Sequence, residues 1–224
     1  MKYIVITGAN RGLGLEFTRQ YLGEGASVIA TYRNSLDGLE SLKKDYTQTL
    51  IPVQVNVSDE AAARMICSAL PEGRIDLLIQ NAGIYPKGEL KSESWLEGFR
   101  INCIAPIMLT YQLLAELQRG NKDGIALISS KMGSIEDNSS GESYQYRSSK
   151  AALNAAGKSL ALDLKQHGIP VIILHPGWVQ TDMGGAHALI TPEQSISGMR
   201  KVIAGLTLSS SGQFIAYDGA VVPW

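Results

Sequence analysis

The 224 residues amount to about one and a half typical domain lengths, and 45 % hydrophobic against 18 % charged residues excludes a disordered chain. Lys and Arg number 20 against 21 Asp and Glu, a net charge of −1, so no cationic surplus exists to hold a nucleic acid. Two cysteines, Cys67 and Cys103, build neither a disulfide framework nor a metal site and are expected as small packed thiols. The start MKYIVITG shows no signal-peptide cleavage site, and no apolar run reaches the roughly 18 residues of a spanning helix. The expectation is a cytoplasmic protein with no membrane partner.

In chain order, short apolar runs at 3–6, 27–31, 50–55, 75–79, 125–128, 170–174 and 213–216 alternate with helical spacing at 14–23, 36–44, 59–70, 95–118, 146–166 and 192–206. Runs without polar alternation suit strands buried on both faces of a parallel sheet. The pattern predicts one α/β domain over 1–224, a Rossmann-type doubly wound parallel sheet of about seven strands with helices on both faces.

The first strand empties into Thr7-Gly8-Ala9-Asn10-Arg11-Gly12-Leu13-Gly14, with a helix directly behind it. Glycines there let the backbone turn and approach a pyrophosphate at a helix N-terminus. The loop is no Walker motif, because no Lys-Ser or Lys-Thr follows. By itself it could also be a plain tight turn, the less favoured reading. Four further blocks accompany it in order: Asn81-Ala82-Gly83, Ser129-Ser130, Tyr146-Arg147-Ser148-Ser149-Lys150 and Pro176-Gly177-Trp178-Val179-Gln180-Thr181, with Asn102 on the long helix between the first two.

Together these blocks resemble the short-chain dehydrogenase/reductase family, whose motifs read TGxxxGxG, NAG, YxxxK and PGxVxT. Within it, the stretches around 129–154, 174–185 and 214–224 are most similar to C-factor and sniffer-type carbonyl reductases. The resemblance implies reversible hydride transfer between NADP(H), or NAD(H), and a small-molecule carbonyl or alcohol. It implies catalytic roles for Ser130, Tyr146, Lys150 and Asn102, and a homodimer or homotetramer built on the two long helices, to which the spacing of Leu153, Ala156, Leu160 and Leu164 is suited. Cofactor contacts are implied for Gly8, Asn10, Arg11, Gly12, Leu13 and Gly14, for Asn56 and Val57, for Asn81, Ala82 and Gly83, for Tyr146 and Lys150, and for Pro176, Gly177, Val179 and Thr181. A dinucleotide-binding signalling or redox-sensing protein of C-factor type is the alternative.

The residues carry a chemistry of their own. Tyr146 and Lys150, four apart, share one face of a helix within about 40°, and a cation there would pull the phenol pKa down toward the working pH. Tyr144, six positions before Lys150, falls on another face and is expected in a pocket wall. Ser130 ends a central strand, where an α/β sheet opens its ligand crevice, though Ser129 and Ser134 compete with it. Asn102 is either a helix cap or, by the resemblance, the anchor of a water near Lys150. His175 reads as a packed crevice residue, and no GxSxG elbow supports a hydrolase. Ile84, Tyr85, Tyr144, Trp178 and Met183 are expected to line an apolar pocket, with 183–190 as a flap bending at Gly184-Gly185. Tyr32 and Arg33 end the second strand without a carboxylate, which favours a 2′-phosphate on Arg33 and Arg11 and hence NADP(H).

Overall fold

The computed structural model describes all 224 residues, Met1–Trp224. Seven strands, β1 Tyr3–Ile6, β2 Ser27–Tyr32, β3 Leu50–Gln54, β4 Leu77–Gln80, β5 Gly124–Ile128, β6 Val171–His175 and β7 Phe214–Ala216, form one sheet in the order β3-β2-β1-β4-β5-β6-β7. Every pairing is parallel. The helices are α1 Gly12–Gly23, α2 Leu39–Asp45, α3 Ala62–Ala69, α4 Ser92–Phe99, α5 Ala105–Gln112, α6 Leu114–Arg119, α7 Tyr144–Leu164 and α8 Pro192–Ala204.

Successive strand residues point to opposite faces, and each face of the sheet buries its own apolar layer. Ile4 and Ile6 of β1 join Phe17 and Leu22 of α1 and Ile196, Met199 and Ile203 of α8. Val5, between them, joins Ile66 of α3, Leu109 of α5 and Leu153, Leu160 and Leu164 of α7. This corrects the reading of those three leucines as a dimer face. They are spent on the protein's own core, and the large apolar residues left exposed on α5 and α7 include Met108, Tyr111 and Leu162. No helix is long and apolar enough to cross a membrane.

The helix expected over 95–118 starts earlier and is broken. A π-helical turn, Arg100–Ile104, joins α4 to α5, and Leu113 separates α5 from α6. Pro106 sits in the first turn of α5. Lacking an N–H, it cannot continue the regular ladder of the preceding turn, where a wider i→i+5 turn replaces it. Conversely, α8 starts where its sequence says it should: Thr191, directly before Pro192, forms a reciprocal capping box with Gln194.

Candidate active site

Strand order reverses between β1 and β4, so the loops leaving their carboxyl ends diverge and open a crevice. Thr7 ties the two loops together: its Oγ1 accepts from the amides of Asn81 at 2.9 Å and Ala82 at 3.0 Å. Asn81 answers through its side chain, whose Nδ2 donates to the carbonyls of Thr7 and Gly8. Asn81 thus braces the glycine loop with its amide and borders the crevice with its backbone.

The glycine loop has the shape of an anion cradle. Gly8 and Gly12 hold φ of +63 and +52, a region open to glycine at little cost. A Cβ on Gly14 would stand 2.1 Å from the Gly8 carbonyl oxygen, so only glycine lets α1 start so close to β1. Arg11, the residue before α1, gives the first helical amides no side-chain cap, which leaves their donors for an anion. These features fit a dinucleotide's pyrophosphate.

Around that cradle the sequence-predicted residues divide. Arg33 is exposed at the end of β2, consistent with a phosphate contact. Arg11 instead pairs with Asp182, 3.4 Å away across the crevice mouth. Asn10 bonds Asp37 at 2.6 Å and the Ser35 carbonyl, fixing the loop after β2. Asn56 is engaged in its own turn, accepting from Ser58 and donating to Asp59.

On the other side of the crevice the groups are buried. Tyr146 is 7 % and Lys150 5 % exposed, and Lys150 Nζ lies 5.8 Å from the centre of the Tyr146 ring. The ammonium donates to the Ile128 carbonyl at 2.9 Å, at the end of β5. The net shift of the phenol is upward, against the direction the spacing suggested. Burial pushes Tyr146 up to about 12, with the Ser130 hydroxyl opposing part of the rise, and burial pulls Lys150 down to about 8. Desolvation is the main cause, and the ammonium lies over the ring, 5.8 Å from its centre, bonded to the Ile128 carbonyl and not to the phenol oxygen.

Ser130 Oγ accepts from the Met132 amide at 3.1 Å, leaving its own proton to donate elsewhere. Ser129 is turned inward onto Asn154, and Ser134 onto the Trp224 carbonyl. Neither competes for the crevice. Asn102 is not a helix cap. It lies inside the π turn, where Oδ1 accepts from the Ile84 amide and Nδ2 donates to the Ile84 carbonyl and to Ser149 Oγ. A Cβ on Gly83 would meet Asn102 Oδ1 at 3.1 Å and Lys150 Nζ at 3.6 Å, so a side chain there would crowd both polar groups.

The expected pocket wall is met in part. Tyr85 packs on Tyr146, with ring centres 4.6 Å apart. Tyr144 opens α7 and is 61 % exposed, because the helix starts two residues before the expected Tyr146. Trp178 is half exposed and its Nε1 donates to the Gly184 carbonyl at 2.8 Å, pinning the expected flap from its base. Gly184 serves close packing and is no hinge, since a Cβ there would lie 2.0 Å from the Val179 carbonyl oxygen.

The sequence pattern of "short chain dehydrogenase" matches residues 2–188. The chain belongs to the short-chain dehydrogenase family. Among relatives of this short-chain dehydrogenase, the C-signal protein of Myxococcus xanthus is 40 % identical over 168 residues, covering 73 % of this chain and 99 % of that one. The 1-hydroxy-2-glutathionyl-2-methyl-3-butene dehydrogenase of Rhodococcus sp. is 32 % identical over the full length of both. Among solved structures, the carbonyl reductase Sniffer of Drosophila melanogaster superposes with a TM-score of 0.92 at 33 % identity over the whole of both chains. The NADPH-bound carbonyl reductase from chicken fatty liver does so at 0.91 and 32 %, covering 100 % of this chain and 99 % of that one.

Three residues of this short-chain dehydrogenase contribute to the site without having been given a role in it by the sequence. Ser149 relays Asn102 to the Tyr146 carbonyl through its hydroxyl; its place inside YxxxK, adjacent to Lys150, was the available signal. His175 Nδ1 accepts from the Lys131 amide and so holds the turn that follows Ser130. Burial, with Lys131 nearby, lowers His175 to about 4, so it is a neutral acceptor with its proton on Nε2. Ser143, bonded to Tyr85 at 2.6 Å, had no sequence signal.

Proposed function

We propose that the protein is an NADP(H)-dependent reductase of aldehydes, ketones or quinones, with the span 1–224 working as one cofactor-binding and catalytic unit. The observation that carries this reading is a phenol and an ammonium buried side by side at the carboxyl end of β5, next to the Asn81-Ala82-Gly83 turn that braces the anion cradle at the switch point of the sheet. The glycine loop with the first amides of α1 would hold the pyrophosphate. Arg33, freed of any carboxylate neighbour in Ala30-Thr31-Tyr32, would meet the 2′-phosphate. Lys150 and the Asn81-Ala82-Gly83 turn would hold the nicotinamide ribose, and Thr181 and Val179 the carboxamide. Bound reduced nicotinamide supplies the hydride to the carbonyl carbon.

The remaining steps belong to the chain. Ser130 donates its free proton as a hydrogen bond to the carbonyl oxygen and stabilises the charge that grows there. Tyr146, kept protonated by burial, gives its proton to the same oxygen. The phenolate left behind would be stabilised by Lys150 and would regain a proton by way of Lys150 and Asn102, which both lie beside Gly83. Tyr85, packed on Tyr146, offers an aromatic surface there, and Ile84, Trp178 and Met183 would complete an apolar wall, which favours aromatic carbonyls over small charged ones.

The likeness to C-signal supports a second reading, a dinucleotide-binding signalling protein with little turnover. One screen separates the two. Consumption of NADPH, and separately of NADH, is followed across aldehydes, ketones, quinones and α-keto acids. Turnover with NADPH and aromatic carbonyls is expected. Tight NADPH binding without turnover on any substrate would favour the signalling reading, and equal efficiency with NADH would overturn the cofactor assignment.

A further inference from the structure

Ser143 stands directly before α7, where a serine ordinarily accepts from the first helical amides and stabilises a helix by about 1 kcal/mol. It makes no such cap. It closes a run of left-handed residues, Gly141 at φ +69, Glu142 at +56 and Ser143 at +49. For the two that are not glycine this conformation costs about 1 kcal/mol each. The Ser143 hydroxyl lies 2.6 Å from Tyr85 Oη, a residue 58 positions away. Tyr85 in turn lays its ring against Tyr146, tilted by 39°. Arg147 secures the far side of the same segment, donating to the carbonyls of Gly141 and Met132 and to Ser140 Oγ. A helix start has given up its cap and accepted backbone strain, and the hydroxyl so released braces the ring that covers Tyr146.

We propose that Tyr85, latched by Ser143, is a positioning residue that fixes the orientation of the Tyr146 phenol and keeps water from it. The inference rests on Tyr146 being the proton donor. The groups facing Tyr146 are Tyr85 from the loop after β4, Ser130 from the end of β5 and Lys150 from α7 itself, while Cys103 of the π turn faces Lys150. Arg147, though adjacent in sequence, is directed at the 132–141 loop. Burial is the main cause of the raised Tyr146 pKa, so uncovering the ring must lower it.

Four variants test this: Tyr85→Leu, Tyr85→Phe, Ser143→Ala and the double Tyr85→Phe/Ser143→Ala. One readout is the pH dependence of kcat for alcohol oxidation with NADP+. The other is the phenolate absorbance step of the ligand-free protein that Tyr146→Phe removes. Tyr85→Leu is expected to move both to lower pH by about one unit. Tyr85→Phe and Ser143→Ala should each lower kcat about fivefold with NADPH affinity unchanged, and the double variant should be no worse than either. A Tyr146 step that stays in place in Tyr85→Leu, or effects of the two single variants that multiply, would overturn the proposal. Should the leucine variant not fold, Tyr85→Phe and Ser143→Ala, each losing one oxygen atom, and their double decide by their non-additivity. Absence of any turnover in the unmodified protein would defeat the proton-donor reading alone, because the phenolate step still reports whether Tyr85 shields Tyr146.

Discussion

The crevice has two unlike walls. Along β1 to β3 the recognition groups are exposed and charged: Arg33 lies open to solvent, and Arg11 keeps 72 % of its side-chain surface while pairing with Asp182 of the loop after β6. Along β5, α7 and β6 the working groups are withdrawn from water, and burial has pushed Tyr146 up and pulled Lys150 and His175 down. Exposed charge acts on an anion arriving from water and is screened by salt. Buried polar groups act on whatever excludes water with them, and pH governs them. The two walls should therefore answer different perturbations.

The largest effect is expected on the buried wall. Lys150→Ala removes the ammonium that supports Tyr146, and turnover should fall about a hundredfold or more, with weaker NADPH binding seen by fluorescence titration. An effect confined to either quantity would show that Lys150 has one role and not two. Gly14→Ala should come next, since its Cβ collides with the Gly8 carbonyl. The expected loss is about 1–3 kcal/mol of stability, read by denaturant unfolding, together with loss of NADPH affinity.

His175 sharpens the comparison from the stability side. Its folded pKa of about 4 lies below the ordinary value of 6.5, so the unfolded chain takes up this proton first as pH falls. Stability is complete above pH 6.5 and is lost toward pH 4, by about 3 kcal/mol. His175→Asn, which keeps an acceptor near the Lys131 amide without titrating, should flatten that limb in unfolding experiments. The exposed wall gives the smaller effects. Arg33→Asp should shift the NADPH-to-NADH preference by about tenfold or more, and raising ionic strength should erode the unmodified protein's preference through KM and not kcat. Asp182→Asn frees Arg11 and should strengthen NADPH binding by a few-fold at most.

Much of this was open to reading in the chain because it is local. Uninterrupted apolar runs gave seven parallel strands, and residues four apart on a helix gave Tyr146 beside Lys150. What escaped depends on contacts between distant segments or on what a residue lacks. Pro106 breaks the helix expected over 95–118 by a missing N–H, and the π turn that results places Asn102 toward Ile84 and Ser149 instead of at a helix end. Leu153, Leu160 and Leu164 have the spacing of an interface and of a core alike, and only the sheet beneath them decides. The direction of the Tyr146 shift could not be read from spacing, because desolvation depends on Tyr85 and on the strand end above it. Arg11 and Asp182 meet across 171 positions, and Tyr85 and Ser143 across 58.

The most direct measurement compares the unmodified protein with Tyr146→Phe for NADPH affinity and for single-turnover reduction of an aromatic aldehyde. The phenyl ring keeps the packing against Tyr85 and loses only the hydroxyl. Affinity within about twofold and reduction slowed by about a hundredfold or more are expected. Reduction at the unmodified rate would contradict the assignment of Tyr146 as the proton donor, and with it the reading of the buried wall as the catalytic one.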